Sequence, residues 1–270
     1  MAFLTFPDLL ALGCQIPIVL FSWWKGANRN YVFWLLATMA FFGPLVWTVE
    51  AHFTEWRSDL PAALWTSIAA TWGLFIFLAL AERDAWRLLL ILAPILIIMG
   101  VLASVYSVQY STGDLHLLPT PGARASLGLH IIVSVATYAL ITVAAAASIA
   151  GIIQDQALKA KRPPLQSWGL PALSRCDEMV FRLLKVAVTV LTFGLISGII
   201  LTYENSGKII SFDHKTVLVF TAFILMGGIL IIHRRSGITA RTAARWALSA
   251  YLCLTLGYPG VKIVTNILLS

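Results

Sequence analysis

Eight stretches of this 270-residue chain carry little but apolar side chains, roughly residues 6–24, 31–49, 62–81, 86–106, 127–153, 179–201, 215–232 and 243–269. Each has about the 20 residues a helix needs to cross the hydrocarbon core of a bilayer. Inside lipid every backbone N–H and C=O must find a partner within the protein, so only helices and closed barrels can span it. The alternating strands of about 10 residues that build a membrane barrel are absent. With 59% hydrophobic and 11% charged residues, against about 25% charged in soluble domains, the chain is expected to be an all-α polytopic membrane protein with eight transmembrane helices.

The first stretch has no basic segment before it and no small-residue cleavage site, so it reads as a retained helix. Connections are short, and the expected organisation is one transmembrane domain over residues 1–270. The formal net charge of +7 is distributed in a way that excludes nucleic acid as its explanation. If the loops alternate from an outer N-terminus, the inner side receives Lys25, Arg29, Arg83, Arg87, Lys159, Lys161, Arg162, Arg175, Arg182, Lys185, Arg234, Arg235, Arg241 and Arg245. Only Arg57, Arg124, Lys208, Lys215 and Lys262 fall outside. This asymmetry predicts both termini on the non-cytoplasmic side of the membrane, with the lipid bilayer as the basic face's partner.

Cys14, Cys176 and Cys253 form no Cys-x-x-Cys pair and read as small apolar residues. Tryptophans crowd the first four spans (Trp23, Trp24, Trp34, Trp47, Trp65, Trp72 and Trp86), and most read as interfacial belt residues. Ser174-Arg-Cys-Asp177 matches a capping box opening the sixth span. Gly194 and Gly198 form a close-packing Gly-x-x-x-Gly, and Pro259, between Gly257 and Gly260, should kink the last span. His130, Ser134, Tyr138 and Thr142 recur every four residues along one face of span five, which should turn inward.

Four histidines (His52, His116, His130 and His214) map to the outer side, and His233 to the inner end of span seven. His130 and His214 each open a span at the same face. A helix N-terminus favours the neutral imidazole that binds metal. The pair is therefore a candidate axial clamp for a planar metal cofactor such as haem. Arg124, Lys208 and Lys215 are outer cations suited to haem propionates. Asp213 is placed either to cap span seven or to orient an imidazole. A divalent-metal site is an alternative, drawing on Glu50, His52, Asp114, His116, His130 and His214. Against it, no buried carboxylate relay is visible in the spans. No nucleophile–base–carboxylate set, phosphate loop or His-Glu-x-x-His helix occurs, which disfavours hydrolase and transferase readings.

Several segments then appear in order: Leu-His-Ile-Ile-Val-Ser-Val-Ala-Thr-Tyr (129–138), Leu-Pro-Ala-Leu-Ser-Arg-Cys-Asp (170–177) and Leu-Thr-Phe-Gly-Leu-Ile-Ser-Gly (191–198). Asp-His-Lys-Thr (213–216), Ile-His-Arg-Arg (232–235) and Leu-Gly-Tyr-Pro-Gly-Val-Lys (256–262) follow. This succession, across residues 127–262, resembles the cytochrome c assembly membrane family of CcsA and CcmC type, closest to its YpjD and HemX-like branch. The resemblance implies a bacterial inner-membrane haem-handling protein, with haem b held at the periplasmic face by histidines. His130 matches the family's outer histidine and His233 its membrane histidine. Partners implied are other membrane proteins of haem or cytochrome biogenesis.

Two departures stand out. The segment 203–215 lacks the family's tryptophan-rich loop, and no histidine follows the last span. The alternative reading is therefore a non-catalytic scaffold or regulator that keeps the fold without haem chemistry, as the resemblance to HemX-like regulators also implies.

Overall fold

The computed structural model describes residues 6–24, 28–54, 59–110, 121–161, 169–207, 213–237 and 240–257. Among these there are helices and turns but no strand. Helices α1 (Phe6–Gly13) and α2 (Ile16–Trp23) share the first span. The break between them follows from Pro17, which lacks the N–H that would bond Gly13 and whose ring crowds that carbonyl. Next come α3 (Tyr31–Thr54), α4 (Leu60–Ala81), a short 3₁₀ turn (Ala85–Leu88) and α5 (Leu89–Tyr110). The chain continues with α6 (Pro121–Lys159), α7 (Leu173–Ser206), α8 (His214–Ser236) and α9 (Ala240–Thr255).

Seven helical segments among the described residues are long and apolar enough to cross a membrane, the last being His214–Arg235. The expected eighth, 243–269, is described only through residue 257, where α9 occupies its first part; Pro259 and Gly260 lie outside the described residues. The exterior confirms the solvent these helices are built for. Phe77, Ile98, Ile132, Phe193 and Ile224 are all exposed, a distribution that water would penalise and lipid does not. The chain is a multi-pass membrane protein.

The chain divides into two compact units, one comprising residues 1–117 and 153–175, the other residues 118–152 and 176–270. In the first, α3 and α4 pack together, α4 packs on α5, and the broken first span lies against α3 and α5. Its centre is polar. Asp8 is fully buried, and its Oδ1 accepts the indole N–H of Trp47 at 2.9 Å and of Trp65 at 3.2 Å. Gln15, also fully buried, accepts from Trp72 Nε1 at 3.1 Å and donates to the Ala11 carbonyl at 3.3 Å. The belt reading therefore fails for Trp47, Trp65 and Trp72, which are buried, but it suits the exposed Trp23 and Trp24. A carboxylate is buried in a span after all, tied by the indoles of Trp47 and Trp65.

The Leu-Pro-Ala-Leu-Ser-Arg segment completes this unit. The buried Gln154 amide donates to the Pro171 carbonyl at 3.0 Å, and Arg175 Nε lies 3.9 Å from Asp84 Oδ2. Because α7 already begins at Leu173, Ser174 lies inside its first turn and is not the cap expected from the motif. Cys176 is buried there as expected of a small apolar residue, while Cys14 and Cys253 are half-buried free thiols.

Candidate functional site

The second unit is a ring of four helices, closed by contacts between successive members. Helices α6 and α7 run antiparallel. Ser126 Oγ donates to Glu204 Oε2 at 3.0 Å, His130 Nδ1 lies 3.0 Å from Ser197 Oγ, and a Cβ added to Gly194 would meet Val133 at 3.3 Å. Between α7 and α8, Phe181 stacks on His233 with ring centroids 3.7 Å apart. Gly228 against Trp246, and Gly257 against Leu218, join α8 to α9. Tyr138 and Thr255 join α9 back to α6, their hydroxyls 3.3 Å apart.

His130 sits in the α6–α7 seam. Helix α6 starts at Pro121, so His130 lies more than two turns inside it and not at its N-terminus, as the span boundaries suggested. The helix-end field that was to favour its neutral form is felt only within the first turn. What holds it instead is packing. A Cβ on Gly198 would lie 3.2 Å from His130 Cε1 and 3.6 Å from Nδ1, so the imidazole edge rests where only a glycine leaves room. The Gly-x-x-x-Gly reading holds, with Gly194 receiving Val133 and Gly198 receiving His130.

His214 does open its helix. Asp213 takes the N-cap position with extended backbone, but its carboxylate makes no capping hydrogen bond. His214 and Lys215 are both exposed. The stacking of Phe181 on His233 sets the antiparallel register of α7 and α8. His130 packs against the second half of α7, and His214 opens the helix that follows it. Arg124's side chain and Lys208 lie outside the described residues. His233 belongs to the opposite end of the bundle, where its exposed ring covers Phe181.

The inward polar face of α6 holds in part. Thr142 is buried and donates to the Tyr138 carbonyl at 2.7 Å, and Tyr138 reaches Thr255. Ser134, however, is exposed, because the α7 seam runs through His130 and Val133 and turns Ser134 away. His52 Nδ1 lies 2.9 Å from its own helix's Thr48 carbonyl. His116 and Asp114 lie outside the described residues. Among the described residues no three His, Cys, Asp or Glu side chains converge on a metal position. What sequence reasoning missed is that His130 meets Ser197 and the close-packing Gly198. Their signal was present, as a Ser-Gly pair closing the Gly-x-x-x-Gly one helix away from a histidine.

A family model described as cytochrome C assembly protein matches residues 58–269. The match begins well before the motifs of residues 127–262 and takes in α4 and α5. The "Uncharacterized 28.8 kDa protein in nifR3-like 5'region" of Azospirillum brasilense is 39% identical over 268 residues, covering 97% of each chain. Inner membrane protein YpjD of Escherichia coli is 27% identical over 188 residues, 70% of this chain and 68% of that one. Protein HemX of Bacillus subtilis is 26% identical over 137 residues, 49% of this chain and 48% of that one. No solved structure matches.

Proposed function

This chain belongs to the cytochrome c assembly protein family, and on that premise we propose that it holds haem b at the periplasmic face of a bacterial inner membrane through histidine axial ligands. The observation that carries the reading is His130 itself, an imidazole set inside a span, seated on Gly198 and hydrogen-bonded at Nδ1 to Ser197. Ionisable side chains within spans are costly to keep and mark functional sites. A neutral imidazole, oriented through one nitrogen, is the form that ligates iron through the other.

The residues present fit such a group. His130 is the inner ligand and His214, opening the helix that follows α7, the outer one. Lys215 follows directly at an exposed position suited to a propionate, with Lys208 and Arg124 as further propionate contacts. His233 is a secondary candidate at the other end. Haem, when bound, supplies one-electron iron chemistry whose potential depends on axial ligands and pocket polarity. The chain's own part is to hold, orient and partly shield it, with other membrane proteins of haem or cytochrome biogenesis as partners.

The test is an absorption spectrum, oxidised and reduced, of the purified protein with added haem, beside His130→Ala and His214→Ala. A Soret band with sharp reduced α and β bands, lost in either variant, is the expected result. Absence of any band from a folded, monodisperse sample would overturn the reading. That result would favour a scaffold or regulator, which the exposure of His214 and the tryptophan-free segment 203–215 also support.

A further inference from the structure

We infer that Ser197 is a positioning residue that holds His130 as the Nδ1–H tautomer and leaves Nε2 as the free lone pair. For its consequence at iron the inference rests on the haem-holding reading; the tautomer itself does not depend on it.

The argument counts protons. A serine hydroxyl has one hydrogen to give and can accept besides. Ser197 Oγ donates to the Gly194 carbonyl at 2.9 Å, three residues back on its own helix. That hydrogen is then spent, and the 3.0 Å contact between Ser197 Oγ and His130 Nδ1 requires its proton from the ring. The Gly194 carbonyl only accepts, from Ser197 Oγ and from the His130 ring itself, so the hydrogen bonds run one way, from the ring N–H toward Ser197 Oγ and Gly194 O. A neutral imidazole carries one N–H, and with it on Nδ1 the lone pair falls to Nε2.

The seat is built to keep the ring in this pose. Gly198 presents no Cβ, and the Nδ1–Cε1 edge lies on that gap at 3.2–3.6 Å from where a Cβ would stand. Val133, one turn further along α6, packs on Gly194 in the same way. Rotating the ring to bring Nε2 to Ser197 would give up this contact. The two segments concerned, 129–138 and 191–198, are separate in sequence. Their meeting explains why a Ser-Gly pair ends the second. It also gives the ligand the outer hydrogen bond that fixes imidazole orientation and raises its basicity in metal sites.

The experiment uses the full chain in lipid nanodiscs, labelled with ¹⁵N at histidine and without haem. Long-range ring ¹⁵N–¹H correlations report which nitrogen carries the proton, and His130→Gln identifies the resonances. Expected is Nδ1–H at His130, shifting toward Nε2–H in Ser197→Ala and returning in Ser197→Thr, which keeps a hydroxyl. His233 signals unchanged by the substitution certify a folded bundle. An Nε2–H tautomer in the unsubstituted protein, or a tautomer indifferent to Ser197→Ala, overturns the inference. If Ser197→Ala does not fold, the unsubstituted protein and Ser197→Thr still decide it.

With haem added, Ser197→Ala is expected to bind about 10- to 100-fold more weakly, with Ser197→Thr restoring affinity. Unsubstituted protein that shows Nδ1–H yet takes no haem overturns the haem reading and leaves the tautomer inference standing. Equal haem affinity in Ser197→Ala overturns the role at iron.

Discussion

Trp65 donates its indole N–H to the carboxylate of Asp8 across 3.2 Å, although 57 residues separate them in the chain. Trp47 donates to the same oxygen at 2.9 Å. One acid in the first turn of α1 thereby ties α3 and α4 to the broken first span. The polar ends of two large rings find a partner in a place where lipid and apolar side chains offer none. Asp8→Ala orphans two buried donors, each costing about 1–3 kcal/mol, whereas Asp8→Asn keeps an acceptor oxygen. Thermal unfolding in one detergent should rank the proteins as unsubstituted, then Asn, then Ala. Equal midpoints for all three proteins would show that the carboxylate holds nothing together.

Gly194 and Gly198 look alike in sequence but receive different partners. Alanine at 194 would press on the Val133 methyl at 3.3 Å, and alanine at 198 on the His130 ring at 3.2 Å. Both substitutions should destabilise by about 1–3 kcal/mol through overpacking. Only Gly198→Ala should also weaken haem binding, because it displaces the ring proposed as a ligand. Parallel haem titrations of the two variants check this, and matched losses would disconnect the Gly198 seat from the ligand.

At the basic end, the charged partner of the Leu-Pro-Ala-Leu-Ser-Arg segment should matter less than the buried one. Arg175 and Asp84 are 3.9 Å apart with both side chains substantially exposed, so Asp84→Asn should change stability by less than about 1 kcal/mol. Gln154→Leu deletes a buried hydrogen bond to Pro171 and should cost about 1–3 kcal/mol. Chemical denaturation or thermal midpoints of the two variants give the comparison, and the reverse order would refute it.

The orientation expected from the basic residues is open to a direct check. With Cys14, Cys176 and Cys253 replaced by alanine, Asp213→Cys should react with a membrane-impermeant maleimide in cells whose outer membrane is permeabilised. Lys161→Cys and Gly237→Cys should react only after the inner membrane is opened. The opposite pattern would invert the topology and place His130 and His214 at the cytoplasmic face.

Much of this architecture could be read from residues alone. Apolar runs of membrane-spanning length specify helices because lipid leaves a backbone no other partner. Seven of the eight segments expected are found as such, and the eighth is described only through residue 257. The packing role of Gly194 and Gly198 was equally legible, since small residues four apart can only make a close helix face. So was the family resemblance, whose motifs fall inside the matched region 58–269.

Tertiary structure decided what those residues touch. Helical hydropathy treats a tryptophan in a span as either belt or core, and only packing turned Trp47, Trp65 and Trp72 inward to Asp8 and Gln15. Span boundaries placed His130 at a helix start, whereas α6 runs on to Pro121 and leaves the histidine half-buried in a seam more than two turns inside the helix. The partner of its Nδ1 is 67 residues away. No local pattern encodes that pairing, because a hydrogen bond between two helices depends on their register. That register is set by the sum of apolar contacts along both faces and not by either residue of the pair.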